Sequence, residues 1–254
     1  RWRVAEKLSI VIPAYNEEYR LGRRLDELYE LLPELPCPVE VVVVDDGSLD
    51  RTIEVARTHL APYAESQLLG AMANRGKGHV VRLGMLAATG DLKLFMDADG
   101  STDLGEIPRF LGRIAEPDRP DIVIASIAVE GATVDPQPLH RQIAGRSANR
   151  LIRATLLPGI RDTQRGFKLF TAEAADDIFS RCLLDGWLFD VETLALARRM
   201  GYRTIELGVT WEHREDSRVT ARSYGATLTD LLRLRLRLWN GSYGRLQARE
   251  KLAV

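Results

Sequence analysis

Cysteine is nearly missing from this sequence: Cys37 and Cys182 are the only two, far apart and without a Cys-x-x-Cys pair or a neighbouring His pattern. That excludes a disulfide framework and a zinc site and fits a reducing cytosol. An excess of one charge is missing too, with 35 Lys plus Arg against 36 Asp plus Glu. No overall field recruits nucleic acid or an anionic membrane, so any such attraction has to come from local clusters. No run approaches the ~18 apolar residues of a membrane-spanning helix, and the N-terminus lacks a signal peptide's apolar segment, which makes a soluble chain the expectation. Internal repeats and low-complexity tracts are absent. At 254 residues the chain is long enough for one large, well-filled domain and short for two.

What is present is an alternation of short apolar runs with amphipathic stretches: 8–12 then 17–32, 39–44 then 52–60, and 92–96 then 104–115. This predicts repeated β-α units. Val41 to Val44 is a continuous β-branched run, as expected of a strand covered on both faces in a parallel sheet. The fold class is therefore α/β, a Rossmann-like and mostly parallel sheet flanked by helices. Another strand is expected over 121–126, a flexible loop over 129–138, a helix over 141–157, a strand over 166–170 and a helix over 191–200. From 223 to 251 the pattern suits a helix, although the apolar-basic alternation of 232–239 equally suits a strand.

Polar residues collect just after the strands, where open α/β sheets bind ligands. Asp97-Ala98-Asp99 follows the run 92–96. A nucleotide diphosphate is a poor leaving group unless its developing charge is neutralised, and a hard divalent ion, Mg²⁺ or Mn²⁺, held by one or two carboxylates and bridging the phosphates does that. The second cluster, Val44-Asp45-Asp46-Gly47-Ser48-Leu49-Asp50, offers Asp46 as an acceptor for a nucleobase N–H and Ser48 or Asp50 as a helix cap. The third, Pro13-Ala14-Tyr15-Asn16-Glu17-Glu18, offers Tyr15 to pack on a base or ribose, Glu17 to accept from a hydroxyl, and Asn16 as a helix cap. Gly76-Lys77-Gly78-His79 is not a phosphate-gripping Walker loop, because Gly78 follows Lys77 where Ser or Thr is required.

These clusters, in this order and with Asn74-Arg75-Gly76-Lys77-Gly78 between the second and the DxD, resemble family 2 glycosyltransferases of the GT-A fold. Arg161-Asp162-Thr163-Gln164-Arg165-Gly166-Phe167-Lys168, then Gly186-Trp187-Leu188-Phe189-Asp190-Val191-Glu192, then Trp211 with Ser217-Arg218-Val219, are similar to its dolichyl-phosphate β-glucosyltransferase branch. The resemblance implies that Pro13, Tyr15, Glu17, Val44, Asp46 and Lys77 hold the nucleotide sugar, that Asp97, Ala98 and Asp99 hold its diphosphate, and that Asp99 with Asp97 ligates the metal. It implies an acceptor side formed by Arg165, Lys168 and Arg218, with Asp190 and Glu192 as acid-rich acceptor-side candidates. One departure stands out: relatives of this kind carry Ser-Arg or Thr-Arg after the strand at 121–125, whereas this chain reads Ser126-Ile127, so that either another arginine such as Arg141 or Arg146 substitutes or the donor or acceptor differs.

Carried over, the resemblance implies an inverting transfer from a nucleotide diphosphate sugar, UDP-glucose or a similar UDP-hexose favoured, to a polyprenyl phosphate. It implies a catalytic domain over 1–222, while the basic and apolar residues of 223–254 suit either an amphipathic segment in peripheral contact with a membrane's cytoplasmic face or a packed terminal helix with solvated arginines. The alternatives are a soluble transferase acting on a saccharide hydroxyl with Asp190 as base, and a non-catalytic nucleotide-sugar scaffold.

Overall fold

The structure is a computed structural model and describes residues 5–135, 149–150, 152–153, 155–212 and 221–244, by backbone alone over 221–228. The chain runs β1 (Leu8–Ala14), α1 (Leu21–Leu31), β2 (Val39–Asp45), α2 (Thr52–Leu60), β3 (Ser66–Gly70), α3 (Lys77–Ala87), β4 (Leu92–Met96), α4 (Glu106–Ile114) and β5 (Ile122–Ser126). It continues through β6 (Thr133–Val134), β7 (Phe167–Thr171), α5 (Ala172–Phe179), α6 (Phe189–Met200), β8 (Thr204–Gly208), β9 (Thr210–Trp211) and α7 (Ala221–Asn240).

Seven strands form one sheet in the order β3-β2-β1-β4-β7-β5-β8. The pairs β1–β2, β1–β4, β2–β3 and β5–β8 are parallel, while β7 lies antiparallel between β4 and β5. The valine run explains itself here. Val41 and Val43 bury against the α1, α2 and α4 side, and Val42 and Val44 against the opposite layer of α3, α5 and α6. In the middle of a strand with two dry faces both sets of side chains have to be apolar, and the polar Glu40 and Asp45 come only toward its two ends. A second, two-stranded sheet pairs β6 with β9, so the segment 129–138 expected as loop carries a short strand.

The bounds of α2 and β4 match the expected ones. The strand alternative at 232–239 fails: Leu231, Leu234 and Leu238 bury together at helical spacing, and the backbone is helical throughout Ala221–Asn240. A period of 3.6 outweighs the local alternation because only the helical face meets the core. Most of the helix expected over 141–157 lies outside the described residues, as do Arg141 and Arg146.

Candidate active site

The strand order reverses beside β1. From β1 the chain moves outward through α1 to β2 and β3, then returns through α3 to β4 on the other side of β1. Connections leaving the carboxyl ends of β1 and β4 therefore diverge, and a crevice opens where ligands of doubly wound sheets bind. Tyr15 to Glu17 follow β1 there, and Asp97 to Asp99 follow β4.

Asp97 is fixed on three sides. Its N–H donates to the Gly166 carbonyl at 2.9 Å, and its carboxylate pairs with Lys77 Nζ at 2.5 Å. Gly166 lies so close that a Cβ there would stand 2.1 Å from Asp97 Oδ2, so a side chain at 166 would displace this carboxylate from its place. Lys77, the first residue of α3, also lies 5.6 Å from the centre of the Trp187 ring and 5.9 Å from that of Phe189. Burial pushes the Asp97 carboxyl up, and Asp99 and Asp190 add to that while Lys77 opposes it; the net direction is upward. Burial works against the Lys77 ammonium, but the surrounding Asp97, Asp190 and Asp99 win and hold its pKa above the ordinary value. The Asp99 carboxylate accepts the Ser101 N–H at 2.9 Å.

One participant was not anticipated. Arg24 of α1 is buried, donates to the Thr102 carbonyl at 2.7 Å, and leaves its Nε without a hydrogen-bond partner among the described residues. Burial lowers its pKa, opposed by Glu27, Asp99 and Asp103. The signal in the sequence was an arginine beside the apolar positions Leu21, Leu25 and Leu28 of one helix face.

The loops after β1 and β2 are laced to each other rather than capping their own helices. Asn16, at φ 51°, donates its N–H to Ser48 Oγ at 2.8 Å and accepts the Leu49 N–H on its side chain at 2.8 Å. Glu17 N–H donates to Thr52 Oγ1 at 2.7 Å, and the Glu17 carboxylate is held by Arg20 at 2.6 and 2.9 Å. Asn16 and Ser48 therefore do not cap α1 and α2, because cross-loop partners claim them first. Asp50 does serve the start of α2, accepting the Thr52 N–H at 3.0 Å.

Asp46 carries a structural load besides the nucleobase contact expected of it. It is buried, and its two carboxylate oxygens accept the N–H groups of Arg75 and Gly76 at 2.8 and 2.9 Å. Gly47, at φ +71°, lets this segment pack close, since a Cβ on it would stand 2.7 Å from the Ala73 carbonyl carbon. Asp46 thus ties down the segment that delivers Lys77. Pro13, Val44 and Ala98 are buried, and the Val44 side chain faces the core layer of α3, which leaves its backbone as the part nearest the crevice. Tyr15 is half-buried at the crevice.

Lys168 departs from its expected place on the acceptor side. Alternation along β7 sends Phe167 and Leu169 to one layer and Lys168 and Phe170 to the other, so Lys168 is 0% exposed. Its Nζ pairs with Asp190 at 2.5 Å and donates to the Arg165 carbonyl at 2.5 Å. Asp190, at the start of α6 and buried, is committed to this ion pair, so it does not stand as an unpaired base. Glu192 accepts the N–H groups of Leu183 and Leu184 at 3.0 and 2.9 Å and the Tyr243 hydroxyl at 2.6 Å; it secures the loop ahead of α6 rather than an acceptor. Arg165 is half-buried, paired with Asp162 at 3.0 Å and stacked 4.9 Å from the Trp211 ring centre. Arg218 lies outside the described residues.

No group of three or more His, Cys, Asp or Glu side chains converges among the described residues to form a complete metal cage. What exists is a concentration of negative charge: Asp99 and the Lys168-paired Asp190 lie close enough to Asp97 to push its carboxyl up, with Lys77 as the cation opposing them. That donor set suits a hard divalent ion that keeps waters and phosphate oxygens for the rest of its shell.

The model of "Glycosyl transferase family 2" matches residues 9–179, more than half of the chain. Dolichyl-phosphate beta-glucosyltransferases are similar over most of their length. The one from Drosophila melanogaster is 37% identical, covering 84% of this chain and 69% of its own. The one from Homo sapiens is 34% identical, covering 96% and 80%. Among solved structures, glucosyl-3-phosphoglycerate synthase from Mycobacterium tuberculosis, in complex with Mn²⁺, UDP and phosphoglyceric acid, superposes with a TM-score of 0.65 at 17% identity, covering 97% of this chain and 80% of that one. Mannosyl-3-phosphoglycerate synthase from Rubrobacter xylanophilus gives 0.59 at 21%, covering 95% and 76%. The sheet order and the crevice at its reversal are those of the GT-A fold, and with a family match across both halves of that crevice the chain belongs to glycosyl transferase family 2.

Proposed function

We propose that this chain is a hexosyltransferase that moves glucose, with inversion, from UDP-glucose to a polyprenyl phosphate of the dolichyl type. The observation that carries the reading is the Asp97–Lys77 pair beside Asp99 at the mouth of the strand reversal, taken with what the relatives are named for. An oxygen of the acceptor phosphate attacks the anomeric carbon from the face opposite the nucleotide. The bond from that carbon to the diphosphate oxygen breaks, and its electron pair leaves with UDP. A phosphate monoester is already ionised near neutral pH, so no base has to remove a proton. This agrees with Asp190 being held in an ion pair with Lys168, and it disfavours a saccharide hydroxyl acceptor.

The work left to the protein is positioning and charge neutralisation. Tyr15 and Glu17 face the nucleoside, Asp46 fixes the 73–76 segment, and Lys77 stands where a diphosphate oxygen can exchange for Asp97. Asp99, with Asp97, would hold Mg²⁺ or Mn²⁺, which when bound supplies neutralisation of the leaving diphosphate. Catalytic residues are taken to lie within 1–222.

The segment 223–254 is assigned to peripheral contact with the cytoplasmic face of a membrane. Support comes from α7, where Leu232, Leu236 and Trp239 are 59%, 59% and 84% exposed on the side away from Leu231, Leu234 and Leu238. Arg233 and Arg235 flank that stripe, as in interfacial helices. No described helix is long and apolar enough to cross a membrane.

The test is incubation of the purified protein with Mn²⁺ or Mg²⁺, a panel of labelled UDP and GDP hexoses, and polyprenyl phosphate. Label entering the lipid fraction from UDP-glucose is the expected result; transfer to water-soluble hydroxyl acceptors alone contradicts the reading.

A further inference from the structure

Arg24 is a costly residue for the place it occupies. It lies on the face of α1 that buries Leu21, Leu25 and Leu28, is 5% exposed, and has an Nε without a hydrogen-bond partner among the described residues. An apolar side chain would fill that position without stranding a donor, and a buried guanidinium is seldom more stabilising than a well-packed hydrophobic one. What the arginine adds is reach. Its Nη2 donates to the Thr102 carbonyl at 2.7 Å, 78 residues along the chain, while Nη1 lies 3.6 Å from Glu27 Oε2.

Thr102 belongs to the connection that carries Asp99. Gly100 turns that connection at φ 72°, Asp99 accepts the Ser101 N–H at 2.9 Å, and the Ser101 carbonyl accepts the Glu212 N–H at 2.8 Å. Thr102 bridges to Trp211, and the Asp103 N–H donates to the Thr210 carbonyl at 3.4 Å. The backbone of β9 and Glu212 thus holds the connection from one element, and Arg24 holds it from α1. The two carboxylates of the DxD are secured by separate means: Asp97 by Lys77 and the Gly166 carbonyl, Asp99 by the course of its own loop. Whatever fixes that loop sets where a metal ligand stands. We infer that Arg24 is a positioning residue for the metal site: by holding the Thr102 carbonyl it fixes the 99–103 connection, and with it the place at which Asp99 meets a divalent ion. This rests on the metal-assisted transfer proposed above and adds to it a residue that acts through Asp99 rather than on the substrate.

The experiment is titration of Mn²⁺ into the full chain with UDP present, unbound Mn²⁺ being read by electron paramagnetic resonance against a protein-free UDP blank, paired with calorimetric titration of UDP after exhaustive chelation. Arg24→Met should weaken Mn²⁺ binding by about tenfold to a hundredfold, the range for a residue that orients a metal ligand, and leave metal-free UDP affinity unchanged. Arg24→Lys, whose ammonium can reach the same carbonyl, should recover most of the loss. Arg24→Gln, too short to reach it, should fall with Arg24→Met, and it carries the test if Arg24→Met does not fold. Wild-type Mn²⁺ affinity in Arg24→Met or Arg24→Gln overturns the inference and leaves the transferase reading standing. An equal loss of metal-free UDP affinity also overturns it, because that marks general damage to the crevice. A wild type that binds UDP but takes up no Mn²⁺ overturns the metal assignment and the inference with it.

Discussion

Glu40 and Asp97 sit at opposite edges of one sheet, each beside a lysine, and their environments drive their acidities in opposite directions. Glu40, at the amino edge, has Lys7 at 3.8 Å and accepts from the Ser9 hydroxyl, the Gln67 amide at 2.8 Å, and the N–H and hydroxyl of Thr89 at 2.8 and 3.1 Å. Burial alone would raise its pKa, but those hydrogen bonds outweigh burial and hold it below the ordinary value. Asp97, at the carboxyl edge, has Lys77 as its side-chain donor among the described residues and two further carboxylates nearby, so it is pushed up. A carboxylate with a full set of donors is finished structure. One short of donors and crowded by like charge is a place suited to a cation or an ion-bound phosphate.

The comparison is tested most severely at the carboxyl edge. Asp99→Ala should lower transfer by about a thousandfold, near 4 kcal/mol, the scale of a lost electrostatic contact to developing charge; steady-state kinetics with labelled UDP-glucose reads it, with folding checked by circular dichroism. Behind the site, Lys168→Met leaves the Asp190 charge buried and unpaired and should cost about 3–5 kcal/mol in urea unfolding, whereas replacing both partners by apolar residues should recover much of that.

At the amino edge the loss should be in stability alone. Glu40→Gln should cost about 1–3 kcal/mol at neutral pH, since it trades a charged acceptor for a weaker one. The sign follows from the lowered folded-state pKa: the stabilisation is present above the ordinary glutamate value and vanishes as pH falls through the folded one. The gap between wild type and Glu40→Gln should therefore close below about pH 4, measured by unfolding at a series of pH values. Smallest in stability is the exposed stripe: Leu236→Ser with Trp239→Ser should stay within about 0.5 kcal/mol yet reduce flotation with anionic liposomes. Unchanged flotation removes the membrane assignment from α7.

The contrast also marks what was legible in the residues alone. The β-α repeat, the DxD and its place at a strand tip follow from local patterns, because period, turn chemistry and strand-end polarity are all written within a dozen residues. The insertion of β7 antiparallel between β4 and β5 is not, since nothing in Phe167–Thr171 states its neighbours. From that order follow the burial of Lys168 and its pairing with Asp190, which is why a lysine on an acceptor-side motif turned out to be interior. Asn16 and Ser48 were misread as helix caps, and the hold of Asp46 on Arg75 and Gly76 was missed, for a related reason: their partners lie in other loops far along the chain, and a cap is only the default when no such partner exists. Sparse or weakly patterned elements such as β3 and β8, half-exposed along most of their length, carried no run to detect.

Calorimetric titration of UDP into the wild type and Asp99→Ala, each in Mn²⁺ and after exhaustive chelation, bears most directly on the claim that the carboxylates after β4 hold the diphosphate through a divalent ion. The account predicts that chelation weakens UDP binding to the wild type by about tenfold or more and makes no difference to Asp99→Ala, which already binds weakly. Wild-type affinity that is the same with and without the metal, or an Asp99→Ala protein that still responds to it fully, would contradict the account.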